Sequence, residues 1–247
     1  MSSDSVTAPA ALAFADVTKS FGGTAALADF TMEVRQGELF GLVGGNGAGK
    51  TTLIKCLLDF CEADRGEIRI FDVPHRITES RRQLAFLPER FNPPFYLTGR
   101  DFLRYMAKLH RASYDEARVR DTFDRLDLSM AALTRPARTY SKGMTQKLGL
   151  AACLISGKPL QVLDEPASGL DPKARALLKK ELRRLRAAGS TIFLTSHALA
   201  DVEEICDRMA VLHQGRLRFA GAPAELKAQH ATSSLEEAFL ACIAERR

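Results

Sequence analysis

Four short apolar runs punctuate the chain, at residues 39–43, 160–163, 191–195 and 209–213, each followed by a turn or the start of a helical pattern. Such runs, alternating with longer stretches of helical periodicity, predict an α/β fold with a largely parallel sheet covered by helices. Between about residues 101 and 152 the strand pattern vanishes, and Phe102, Tyr105, Met106 and Leu109 recur at spacings of three and four. This periodicity predicts a helical insertion over about 97–155. Near the end, Ser233-Ser234-Leu235-Glu236 reads as a capping box, and Leu235, Ala238, Phe239, Cys242 and Ile243 form one apolar stripe. A packed helix within 231–247 follows. The first ten residues, MSSDSVTAPA, have neither the basic start nor the apolar centre of a secretory signal and are expected to form a disordered tail ahead of a domain spanning 11–230.

Composition narrows the class. The 247 residues are 46% hydrophobic, enough for a sizeable core, and no apolar run approaches the roughly 18–20 residues needed to cross a bilayer. A cytoplasmic location is expected. The five cysteines are odd in number with no CxxC pair, and read as reduced, mostly buried small hydrophobes. A net charge of +5 is modest and spread out, so no nucleic-acid partner is expected. The densest basic stretch, residues 173–186, keeps Leu178, Leu182 and Leu185 at helical spacing and reads as the wet face of an amphipathic helix.

Gly44-Gly45-Asn46-Gly47-Ala48-Gly49-Lys50-Thr51 satisfies G-x-x-x-x-G-K-[ST] directly after the apolar run 39–43 and opens the helical run from Thr52 to Leu58. Glycines let the backbone curl so that N–H groups face phosphate oxygens, and the helix N-terminus adds partial positive charge. Lys50 then supplies a point charge for the β- and γ-phosphates, and the Thr51 hydroxyl a ligand for Mg²⁺. The chain is thus expected to bind and hydrolyse ATP. Downstream, the run 160–163 ends in Asp164-Glu165, at the carboxyl end of a strand where open α/β sheets bind ligands. Asp164 is expected to hold the metal and Glu165 to polarise the attacking water. Gln161, polar within that run, needs a hydrogen-bond partner that the sequence does not name.

With these motifs the chain resembles the ATP-binding subunit of an ABC transporter over essentially residues 11–220. The family's LSGGQ becomes Tyr140-Ser141-Lys142-Gly143-Met144 here, with the first glycine replaced by Lys142. Ser168-Gly169-Leu170-Asp171 resembles the family's D-loop, and His197 its switch histidine. The resemblance implies a P-loop NTPase with a RecA-like, mainly parallel core, an N-terminal antiparallel β portion and the helical insertion. It also implies two copies arranged head to tail. ATP would be held by residues 44–52, including Thr52, of one copy and covered by Ser141, Lys142, Gly143 and Asp171 of the other, with His197 orienting the catalytic water. Phe21 fits the aromatic that stacks on adenine, although an early Phe could equally belong to the core.

Glu89, in Ala85-Phe86-Leu87-Pro88-Glu89, stands where the family usually carries a glutamine that reaches the metal and its water. The LPE form together with YSKGM resembles the subset serving ABC-2 type exporters. Just beyond, Phe91, Phe95 and Tyr96 lie in an aromatic, proline-rich turn that either packs on the sheet or, as the resemblance implies, receives a coupling helix of an integral membrane permease, placing the chain peripherally at the inner face of the cell membrane. Two rival readings are a soluble ABC-type ATPase acting on nucleic acid or ribosomes and a P-loop small-molecule kinase. The first usually brings a coiled-coil insertion or a tandem ATPase domain, and the second does not need Ser141, Gly143 and His197 in this arrangement.

Overall fold

The computed structural model describes residues 9–244. In chain order the elements are β1 (Ala10–Phe21), β2 (Thr24–Arg35), β3 (Leu39–Val43), α1 (Lys50–Leu57), β4 (Arg65–Ile70), β5 (Val73–Pro74), α2 (Thr78–Arg81) and β6 (Leu84–Leu87). Then follow α3 (Gly99–Leu109), α4 (Glu116–Arg125), α5 (Lys142–Ser156), β7 (Leu160–Leu163), α6 (Pro172–Ala187) and β8 (Thr191–Ser196). The chain continues through α7 (Leu199–Ile205), β9 (Arg208–His213), β10 (Arg216–Gly221), α8 (Pro223–Gln229) and α9 (Leu235–Ala244).

Two sheets form. One has the order β10-β9-β3-β8-β7-β6, parallel except for the edge strand β10; the other, β2-β1-β4-β5, is antiparallel. The parallel strands are predominantly apolar because both faces are covered. Side chains alternate between two cores along each strand, as a period of two requires. Leu39, Val43, Leu163, Ile192 and Leu194 face the helices, whereas Phe40, Leu42, Leu160, Val162 and Phe193 face the antiparallel sheet and α1. Phe14, Phe30, Phe40 and Phe193 join the two sheets through ring contacts with centroids 5.7 to 6.4 Å apart. Truncating a fully buried phenylalanine of this group to alanine would cost about 3–5 kcal/mol.

The helical stretch between β6 and β7 comprises α3, α4 and α5, with two short 3₁₀ turns between α4 and α5. Thr98 caps α3 and Asp115 caps α4, each accepting from a backbone N–H of the first turn. On α6, Leu178, Leu182 and Leu185 are buried as the periodicity requires. Its charged face is not merely wet, for Arg175 pairs with Asp201, Arg183 with Glu204 and Arg186 with Asp207.

Two expectations are corrected and one is met. Ala10 opens β1 and the Pro9 carbonyl accepts from Gln36 N–H at 2.9 Å, because the strand pairing with β2 reaches that far; the rest of the expected tail, residues 1–8, lies outside the described residues. The cap of α9 sits one residue later than expected: Ser234 Oγ accepts from Glu237 N–H, and the Glu237 carboxylate turns to Thr232 rather than back to the cap. Residues 245–247 of that expected helix are outside the described set. Gln161 is buried and its Nε2 donates to the Lys158 carbonyl at 2.8 Å, so the preceding turn supplies the missing partner for one end of the amide.

None of the five cysteines forms a disulfide, and four are buried. Burial pushes the Cys56 and Cys153 thiols up to about 12, which leaves them inert as nucleophiles. Among the described residues no helix is long and apolar enough to cross a membrane.

Candidate functional site

The loop between β3 and α1 turns through two glycines with left-handed φ, Gly47 at 75° and Gly49 at 114°. At Gly49 a Cβ would lie 2.5 Å from the Ala26 carbonyl oxygen, and at Gly44 it would lie 2.4 Å from that of Leu212. Gly44 is therefore a packing glycine against β9, while Gly49 lets the chain enter α1. No side chain caps α1. Its free N–H groups and positive end form an anion cradle. Lys50 bends back over this cradle, its Nζ donating to the carbonyls of Gly44 at 2.6 Å and Gly45 at 3.3 Å.

Beside the loop, at the carboxyl ends of β7 and β8, stand the acidic residues. Thr195, fully buried on β8, holds both: its Oγ1 donates to Asp164 Oδ1 at 2.6 Å and accepts from Glu165 N–H at 2.9 Å. Glu165 adopts a left-handed φ of 48°, which turns its side chain out of the strand direction. Glu165 Oε2 meets His197 Nδ1 at 2.8 Å. A carboxylate only accepts, so Nδ1 carries the proton and Nε2 is the outward nitrogen. Burial is the main cause that pushes the Asp164 carboxyl above the usual range; the Thr195 hydroxyl pulls it down, and the charge of Glu89 raises it again.

These groups share one cavity of about 270 Å³. Of the residues expected from sequence it is lined by Gly45, Asn46, Gly47, Ala48, Gly49, Lys50, Thr51, Thr52, Glu89, Asp164, Glu165 and His197, and Ala26 and Ser168 are added. The cluster of Thr51, Asp164 and Glu89 offers hard oxygen donors, one hydroxyl and two carboxylates. That set suits Mg²⁺, which takes one or two carboxylates and completes its octahedron with water and substrate phosphates.

The remaining expected residues lie apart from this cavity. Phe21 ends β1 with 53% of its surface exposed, so it is not a core residue, and Lys19 Nζ sits 5.3 Å from its ring centroid. Ser141 caps α5, its Oγ accepting from Met144 N–H at 3.2 Å, and Gly143 follows, half-buried, in the first turn. Asp171 caps α6 through Ala174 N–H at 2.8 Å. Lys142, expected to reach nucleotide on another copy, lays its methylenes across Gly169 of its own chain.

On the opposite flank of the helical stretch, Phe95 and Tyr96 pack edge to face and are 66% and 65% exposed. Phe91, unlike these two, takes the packing alternative. It turns inward against Phe102 and into the slot left by Gly149, where a Cβ would meet its ring at 2.8 Å. A separate groove of about 420 Å³ has Phe60, Phe86, Met106 and Leu109 in its apolar lining and Arg81, Arg82 and Arg111 among its basic residues.

Sequence reasoning missed Thr195. Thr195 carries no motif; only its place as the polar residue ending an apolar run, one strand over from Asp164, could have drawn attention to it.

A family profile described as ABC transporter matches residues 27–168. An uncharacterized ABC transporter ATP-binding protein of Nostoc sp. is 43% identical over 199 residues, covering 79% of this chain and 59% of that protein. The Nod factor export ATP-binding protein I of Bradyrhizobium diazoefficiens is 39% identical over 220 residues, covering 87% of this chain and 71% of that protein. The matches thus span only about three fifths of the length of the first curated relatives, 59% and 57%. Among solved structures, an ATP binding subunit of an ABC transporter superposes with a TM-score of 0.86 at 31% identity, covering 94% of this chain and 98% of that one.

Proposed function

The chain belongs to the ABC transporter family, and from that premise we propose that it binds Mg²⁺–ATP, hydrolyses it, and thereby powers an integral membrane permease. The observation that carries the reading is the single cavity in which the uncapped helix N-terminus, Lys50, Asp164 and the Glu165–His197 pair converge. ATP phosphates lie on the N–H groups of residues 45–52, with Lys50 released from the loop carbonyls to the β- and γ-phosphates. Thr51, Asp164 and Glu89 would hold Mg²⁺, which would supply positive charge to neutralise that on the phosphates. Glu165, fixed by Thr195 and by His197, takes a proton from the attacking water, a role worth about 10²–10⁴-fold in rate. His197 presents Nε2 to the γ-phosphate side.

Two copies close head to tail, Ser141 and Gly143 of each covering the nucleotide of the other, with Phe21 under the adenine. ATP binding favours the closed pair and hydrolysis releases it. Phe95 and Tyr96 receive the permease, which holds the chain at the cytoplasmic face of the membrane. Export of the ABC-2 type is favoured by the LPE and YSKGM forms and by the export function named for the Bradyrhizobium relative.

The test is nucleotide-dependent stability and turnover in the wild type and Lys50→Ala. ATP at 100 times its Kd adds about 2.7 kcal/mol, which raises Tm by about 5–10 °C in a chain of this size. Lys50→Ala is expected to lose that rise together with phosphate release. A variant that kept both would overturn the assignment.

A further inference from the structure

Helix α5 reaches beneath the loop that carries Glu165 and holds it at two points. Gln146 is buried, and its Nε2 donates to the Pro166 carbonyl at 3.1 Å. One turn toward the N-terminus, on the same helix face, Lys142 crosses Gly169 so closely that a Cβ there would lie 2.6 Å from Cε and 2.9 Å from Cδ. Gly169 has φ at 75°, and Ser168 N–H donates to the Glu165 carbonyl at 2.9 Å, so the loop from 165 to 169 is a closed turn gripped at both ends. The same first turn of α5 carries Ser141 and Gly143. One helical turn and two side chains therefore separate the residues that cover a partner copy's nucleotide from the base of this copy's own site.

We propose that Gln146 and Lys142 are positioning residues that couple the two nucleotide sites of the pair: when Ser141 and Gly143 of one copy engage the partner's γ-phosphate, α5 moves as a unit and sets Glu165 of its own copy. The inference rests on the head-to-tail reading above. Coupling of this kind is a bias on a two-state element and shows as cooperativity. Lys142 acts here through its methylenes, filling the space that Gly169 leaves, and Gln146 through one N–H donor.

The experiment measures ATP turnover against ATP concentration for the full chain, with nucleotide affinity and Tm determined alongside. The wild type is expected to show a Hill coefficient above 1. Gln146→Met keeps the length but lacks the donor. Losing one neutral hydrogen bond shifts a two-state population by roughly two- to ten-fold, so kcat is expected to fall by that factor and the Hill coefficient toward 1, with ATP affinity unchanged. Lys142→Met, which keeps the packing without the charge, is expected to retain cooperativity, and Lys142→Gly to lose it. A purely structural role would lower Tm and leave the Hill coefficient alone. Wild-type cooperativity in both Gln146→Met and Lys142→Gly, while Glu165→Gln still dimerises with ATP, overturns the coupling but not the head-to-tail arrangement. If Glu165→Gln never dimerises, the arrangement itself fails and the coupling with it.

Discussion

Replacing Thr195 by valine removes one hydroxyl and nothing of the side chain's volume, yet that oxygen serves two buried groups at once. Asp164 is left with an unmet acceptor and Glu165 with an unmet backbone donor, at a site where Thr195 is fully buried and Asp164 is 5% exposed. Losing the charge-assisted bond costs about 1.5–3 kcal/mol and stranding the N–H about 1–3 kcal/mol. The extra methyl contact offsets part of this, so a net loss of about 2–5 kcal/mol is expected, or about 5–15 °C in Tm. The assay is urea unfolding at matched pH, with Thr195→Ser as the control that restores the hydroxyl. Because the lost bond had stabilised the ionised form of Asp164, the penalty is expected to shrink as the pH drops into the range where that carboxyl protonates. Phosphate release is expected to fall further than stability explains, since Glu165 loses the anchor of its left-handed turn. A Thr195→Val protein within about 0.5 kcal/mol of wild type, or a penalty independent of pH, would refute the reasoning.

The other expectations concern the loop, the buried acid and the outer surface. Gly49→Ala places a Cβ 2.5 Å from the Ala26 carbonyl at a φ of 114°, and is expected to lower Tm by at least about 5 °C and to abolish the ATP-induced rise in differential scanning fluorimetry. Asp164→Asn is expected to stabilise the nucleotide-free chain at neutral pH while losing Mg²⁺-dependent turnover. The sign follows from the raised Asp164 pKa: stability is intact below the ordinary Asp value of about 3.9 and is lost as pH rises through the folded value, so the gain from Asn vanishes in acid. Phe95→Glu and Tyr96→Glu are expected to reduce co-purification with the permease at least about ten-fold, with ATP affinity unchanged, because both rings are exposed and apart from the cavity. Undiminished pull-down would remove that surface from the permease contact.

How much of this was legible in the sequence depended on how local each feature is. The phosphate loop and the Asp164-Glu165 strand end could be read because their residues are contiguous and the strand before each is a short, mostly apolar run. The buried strands followed from the same pattern, to within a residue at the ends of β8 and β9. What could not be read depends on neighbours distant in the chain. Thr195 reaches Asp164 only because β7 and β8 pair in parallel with Leu163 beside Leu194. Phe91 turns inward because Gly149, on a helix far along the chain, leaves a slot for its ring. Lys142 lies over its own loop because Gly169 lacks a side chain, a fact visible only when the two segments are brought together. The cap of α9 slipped by one residue because Ser233 and Ser234 offer the same chemistry at adjacent positions, and only the backbone conformation chooses between them.

The central claim is that ATP joins two copies and that Glu165 is the base that breaks the join. Sedimentation of Glu165→Gln, alone, with Mg²⁺–ATP and with Mg²⁺–ADP, tests both halves when turnover is followed in the same samples. The account predicts a monomer alone and with ADP, a stable dimer with ATP, and turnover lowered by at least about 100-fold. A variant that stayed monomeric with bound ATP, or that hydrolysed it at the wild-type rate, would contradict the account.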